Sequence, residues 1–171
     1  MQPVYLHMLR PRHADCHGRT VTGEIKMKIS TKGRYALRFM LDLAVRDSDS
    51  YVPLKEISAR QEISLKYLEQ IVSQFGKAGL IDSVRGPQGG YRLSRRPDKY
   101  TVGEIIRCVE GSLAPVACLE PGADACPRRA ECGTVAFWEG LQGVIDDYVD
   151  SVTLQDLADR QGDAGWDDYC I

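Results

Sequence analysis

From Thr31 the stretch TKGRYALRFMLDLAVR sets Tyr35, Ala36, Phe39, Met40, Leu43 and Ala44 on one stripe at helical spacing, with Lys32, Arg34, Arg38 and Asp42 mostly elsewhere. A first helix is expected there, and DSDS at 47–50 ends it. Pro53 suits the first turn of a short second helix, PLKEISARQ, which buries Leu54 and Ile57. Ser64 stands where a cap would open a third helix, LKYLEQIVSQFGKAG, with Leu65, Leu68, Ile71, Val72 and Phe75 on its apolar face and Gly79 as its stop. The period then changes from helical to alternating. LIDSV (80–84) and YRLSR (91–95) read as short strands, and RGPQGG between them supplies the glycines and proline of a projecting hairpin loop. Three helices followed by a hairpin is the order of a winged helix-turn-helix. The expected fold class is therefore mainly α with a small β-wing.

Beyond the hairpin, Thr101 and Glu104 make a capping-box pattern ahead of IIRCV, so a fourth short helix should run to about Val109 and stop at Gly111. Cys108 inside it reads as a small buried hydrophobe. Further on, Trp138, Leu141, Ile145, Tyr148 and Val152 recur at spacings of 3, 4, 3 and 4, a two-heptad seam expected to form a long dimerisation helix. The other reading of that stripe is packing back onto its own domain. Residues 1–26 show no periodicity. The expected division is a disordered extension over 1–26, a winged helix-turn-helix over 27–99, a linker helix and cysteine loop over 100–133, the dimerisation helix over 134–158 and a disordered tail over 159–171. His13, Cys16 and His17 are read as part of a solvated terminus rather than as a metal site.

Composition changes this picture little: 43% hydrophobic and 27% charged residues are those of a globular protein. No apolar run suggests a membrane span and no signal peptide is visible, so the expected compartment is the cytoplasm, with no membrane partner. Charge changes it more. Residues 27–99 hold 14 basic and 8 acidic side chains, whereas residues 100–171 hold 4 and 14. A polyanion-binding surface therefore belongs before residue 100. No nucleophile–base constellation, phosphate-binding glycine loop or pair of carboxylates with a pocket is present, and no enzymatic activity is expected.

With its apolar side inward, the third helix turns Lys66, Tyr67, Glu69, Gln70 and Ser73 outward, where a major groove would be read. Glu69 is repelled by phosphate but can accept from a cytosine amino group; Gln70 can pair with an adenine edge. Lys66 and Tyr67 suit the sugar–phosphate backbone, as do Lys32, Arg34 and Arg38 of the first helix. Arg85 lies at the hairpin tip, with Arg92, Arg95 and Arg96 on the return strand. The competing reading of all these is a solvated charged face.

Cysteines add a second chemistry. Of six, Cys118, Cys126 and Cys132 fall within CLEPGADACPRRAEC (118–132), separated by seven and five residues. That is too far apart for the paired knuckle of a zinc ribbon, while an iron–sulfur cluster tolerates such loops. Residue spacing leaves a cluster, zinc, thiol redox chemistry or no cofactor all open.

MKISTKGRYALRFMLDLA, ISLKYLEQIVSQFGKAGLI and the wing SVRGPQGGYRLS together resemble the Rrf-two (Rrf2) family of bacterial transcription regulators over residues 27 to about 158. The resemblance implies a homodimer that binds a palindromic double-stranded DNA operator, with Arg85 entering a minor groove. It also implies control by an iron–sulfur cluster in some members and by a metabolic-enzyme partner in CymR-like ones. Cluster-binding members carry three cysteines in this same loop, which points to Cys118, Cys126 and Cys132 as ligands. Two departures stand out. IscR-like members place a histidine three residues after the third cysteine, where this chain has Val135; NsrR-like members use a carboxylate on the first helix, where it has Arg34. The fourth ligand, and with it the choice between 2Fe-2S and 4Fe-4S, stays open among Cys108, Glu120, Asp124, Glu131 and an exogenous thiol. The expected function is a DNA-binding regulator, a repressor, tuned by that cluster. The alternatives are the same fold governed by thiol oxidation, zinc or an enzyme partner and, more remotely, a small electron carrier.

Overall fold

A computed structural model of the chain describes residues 29–46, 50–86, 89–124 and 126–163. The expectations for residues 1–26 and 164–171 lie outside them. Six helices and one hairpin follow in the order α1 (Thr31–Ala44), α2 (Leu54–Gln61), α3 (Leu65–Lys77), β1 (Ile81–Val84), β2 (Gly90–Leu93), α4 (Val102–Glu110), α5 (Val135–Ser151) and α6 (Leu154–Asp163). The helical stripes do what their spacing dictates. Ala36, Phe39 and Met40 of α1 meet Leu68, Ile71 and Phe75 of α3, all of them fully buried. Tyr35 and Ala44 at the edges of the first stripe, like Leu65 of the third, are only half-buried.

β1 and β2 pair antiparallel with Asp82 opposite Arg92 and Val84 opposite Gly90. Val52, just before α2, exchanges two 2.9 Å hydrogen bonds with Tyr91, extending the hairpin by a bridge. Gly90 permits this approach, because a Cβ there would stand 2.4 Å from the Val52 carbonyl oxygen. The turn between α2 and α3 passes through Glu62 at φ 53, and the Ser58 hydroxyl donates to Ile63 O at 2.6 Å to close it.

Four features depart from the sequence reading. Asp42 was placed off the apolar stripe, yet it is 4% exposed. Its charge is met by Arg60, which donates to both carboxylate oxygens at 3.1 and 2.7 Å, and by Gln61 at 3.0 Å. A buried, paired carboxylate thus joins α1 to α2. Half the capping box forms: Thr101 accepts from Glu104 N at 3.1 Å, but the Glu104 side chain turns to Arg95 instead. α4 is part of the core rather than a linker, with Ile105 fully buried.

The fourth departure is topological. In place of one helix over 134–158, the chain leaves the helical path at Val152 and starts α6 at Leu154. Val102 N donates to Val152 O at 2.9 Å and Leu154 N to Tyr100 O at 3.0 Å, so residues 100–102 and 152–154 lie side by side. Leu154 is then fully buried in the winged core, and α6 continues to Asp163, taking in the first five residues of the expected tail. Everything from α4 to α5 is thus an excursion with both ends pinned to one place. Among the described residues no helix is long and apolar enough to cross a membrane.

Candidate DNA-reading face and cysteine loop

α3 exposes Lys66, Glu69, Gln70 and Ser73 on the side opposite its core face. Tyr67 is half-buried, its ring edge-on to Tyr35 at 5.4 Å between centroids, which sets the first turns of α1 and α3 side by side. Arg38 donates to Gln61 O at 2.6 Å and lies over the Tyr35 ring. Arg34 is exposed and donates to Thr31 Oγ1 at 3.2 Å. Lys32 is half-buried beside Cys108 of α4, less outward than its sequence position suggests.

An open groove runs between α3 and the wing, lined by Glu69, Val72, Ser73, Gly76 and Lys77 on one side and Ser83 and Tyr91 on the other. Lys77 and Ser83 were missed by sequence reasoning, since only the packing of the hairpin against α3 puts them on this face. The wing's arginines divide. Arg92 pairs with Asp82 across the strands at 3.2 Å and lies over Tyr51; Arg95 pairs with Glu104 and lies over Tyr100; Arg96 pairs with Asp98 at 3.1 Å. Arg85 is exposed with no ion pair among the described residues. Three cations expected on the wing therefore have carboxylate partners within the protein, whereas Arg85 has none among the described residues.

Residues 111–134 leave α4 at Gly111, φ 85, and turn again at Gly122, φ 79. Cys118 sits in a short 3-10 turn, Cys126 is half-buried and Cys132 ends a second such turn; none of them is in a disulfide. The Thr134 hydroxyl 3.5 Å from Cys132 Sγ, helped by backbone N–H groups of Thr134 and Val135, holds that thiol below its ordinary pKa. Burial pushes Cys108 the other way. The donor chemistry suits a thiolate-bound metal group: three free thiols, none wholly buried, one biased to the charged form. Their arrangement does not, because among the described residues no three Cys, His, Asp or Glu side chains gather closely enough to hold a metal ion.

The base of this loop is closed by charge. Arg107 of α4 donates to Asp146 at 2.6 Å and to Asp150 at 2.7 Å, both on α5, and these bonds raise its pKa. At Gly103 an added Cβ would meet Asp150 at 2.0 Å, so the two helices touch there. Of the expected seam, Trp138, Leu141, Ile145 and Val152 are half-buried and Tyr148 is exposed. The exposed apolar side of α5 is a different set, Phe137, Val144 and Tyr148, at 64%, 67% and 66% exposure.

Residues 29–160 match the family described as Rrf2, iron-dependent transcriptional regulator. The chain belongs to the Rrf2 family. HTH-type transcriptional regulator IscR of Aliivibrio salmonicida is 44% identical over 131 residues, 77% of this chain and 77% of that protein. The protein of the same name from Erwinia tasmaniensis is 42% identical over 135 residues, 79% of this chain and 81% of the other. Among solved structures, T. potens IscR superposes with a TM-score of 0.65 at 37% identity, covering 86% of this chain and 97% of that one. CymR (YrzC), the global cysteine regulator of B. subtilis, gives 0.63 at 41%, covering 78% and 97%. This Rrf2 protein is thus a winged-helix, DNA-binding transcriptional regulator of a non-enzymatic family.

Proposed function

We propose that this Rrf2-family regulator is a homodimeric repressor that reads a palindromic operator and whose affinity is set by an iron–sulfur cluster on Cys118, Cys126 and Cys132. Glu69 and Gln70 face base edges, Lys66 and Tyr67 the backbone of the same groove, and Lys32 and Arg34 the flanking phosphates; Arg85 reaches the neighbouring minor groove. Phe137, Val144 and Tyr148 supply the apolar contact between two copies along α5. A reducing cytoplasm keeps the loop thiols free for ligation.

Cys132 carries the sensing half of this reading: it is exposed, unpaired by disulfide and held towards thiolate. When bound, a cluster would supply an oxidant-sensitive tie between three points of the loop. The protein's own part is to hold that loop between α4 and α5, so that Arg107, Asp146 and Asp150 feel any change in its shape.

The test is iron and acid-labile sulfide content of protein purified without oxygen. Iron and sulfide are expected together, and Cys126→Ala should lose most of both. Iron content unaffected by that change would remove the cluster. The same depressed Cys132 thiol also favours a second reading, control by thiol oxidation without metal; metal-free protein whose DNA affinity falls on mild oxidation would establish it.

A further inference from the structure

The amino end of a helix carries partial positive charge and unpaired N–H groups, and carboxylates in the first turn usually answer both. α1 has no acidic residue in its first turn. The carboxylate that meets it comes from the far end of α4. Oε1 of Glu110 accepts from Ser30 N at 3.1 Å, Ser30 Oγ at 2.6 Å and Gly33 N at 2.9 Å. Ser30 Oγ in turn accepts from Lys32 N at 3.0 Å and Gly33 N at 3.3 Å, so the hydroxyl relays the charge onto the helix. Gly33 leaves room for this seat: a Cβ there would stand 2.3 Å from the same carboxylate oxygen.

Two placements give the seat a use beyond stability. Glu110 is the last residue of α4, and Gly111 opens the loop of Cys118, Cys126 and Cys132. The helix end it holds carries Lys32 and the exposed Arg34, and the Tyr35–Tyr67 contact sets that end beside the first turn of α3. No other carboxylate is bonded to this end of α1 among the described residues.

We propose that Glu110 is a positioning residue that seats the amino end of α1 for phosphate contact and passes movement of the cysteine loop to it. When the loop shifts, the carboxylate is the first side chain displaced, and the Ser30–Gly33 turn loses its acceptor. Arg34 then loses its fixed origin relative to Glu69 and Gln70 on α3. Glu110 has this role only if the α3 face reads DNA as proposed above.

The test uses full-length protein with a duplex selected from random sequence against the wild type, titrated over a range of salt, and amide exchange at Lys32 and Gly33. Glu110→Ala should weaken binding about five- to tenfold and lower the salt slope by about one, as loss of one phosphate contact requires. Glu110→Gln keeps an acceptor and should stay within about twofold of wild type; Gly33→Ala, which evicts the carboxylate, should behave like Glu110→Ala. Alkylating the loop thiols with iodoacetamide should speed exchange at Gly33 in the wild type and add nothing in Glu110→Ala. Wild-type affinity and slope in Glu110→Ala, or Gly33 exchange indifferent to alkylation, would overturn the proposal. Wild-type protein that retards no duplex would instead overturn the DNA-reading assignment on which it stands.

Discussion

Tyr100 shows how much one side chain can tie together. It is fully buried, yet its hydroxyl donates to Leu80 O at 2.6 Å and accepts from Ser94 N at 3.0 Å and Arg95 N at 3.1 Å. The end of α3, the exit of the wing and the start of α4 therefore meet on one oxygen. Tyr100→Phe removes the hydroxyl from these groups and should cost about 1–3 kcal/mol in a urea melt; a cost below about 0.5 kcal/mol would contradict the assignment. Thiols make a second case at this scale. Because Cys132 is depressed and Cys108 raised, alkylation of Cys132 should reach half its limiting rate at the lower pH, and at neutral pH Cys132 should react first. Equal rates or the reverse order in mass spectrometry would refute this. Neither tie is legible in the sequence. Tyr100 and Asp42 look like a strand-end aromatic and a helix-surface charge until the partners, far along the chain, are brought to them.

The elements proposed to read DNA were legible, since Leu68, Ile71, Val72 and Phe75 recur at helical spacing and fix by default which side of α3 faces out. The hairpin was legible for the same reason, its alternation being local. Packing decides what local pattern cannot: which charges are spent. Arg92 and Arg95 have carboxylates in the protein, and Arg85 has none among the described residues. Arg85→Ala should therefore weaken binding on all sequences alike and lower the salt slope by about one. Glu69→Ala should leave the slope almost unchanged and relax the preference at one base-pair position. Selection on randomised operators separates the two, and identical effects from both changes would refute the groove assignment. The α5–α6 break was hidden because Trp138 through Val152 holds a heptad rhythm to its last member. Only the bridge between Thr101 and Thr153 shows that Val152 ends the helix and Leu154 returns to the core.

At the scale of the molecule, basic side chains predominate in the winged domain and acidic ones in the α4–α5 excursion and α6. That excursion begins and ends at one bridge, is tied to α1 by Glu110 and is clamped by Arg107. On the proposed reading, Glu110 is the contact through which strain on the cysteine loop reaches α1, and Arg107 fixes α5 against α4. The outer side of the excursion, Phe137, Val144 and Tyr148, has no cover within the described chain. Val144→Asp should shift the protein from dimer to monomer in sedimentation and weaken operator binding with it; a dimer of undiminished strength would place the interface elsewhere.

Operator affinity of anaerobically purified protein, before and after removal of its iron, measures directly the proposed coupling between the cysteine loop and the α3 face. A change of about 5- to 150-fold, the span of roughly 1–3 kcal/mol, is expected, and Cys126→Ala should abolish it. Protein that emerges colourless and metal-free, and binds its operator with the same affinity as Cys126→Ala, would contradict it.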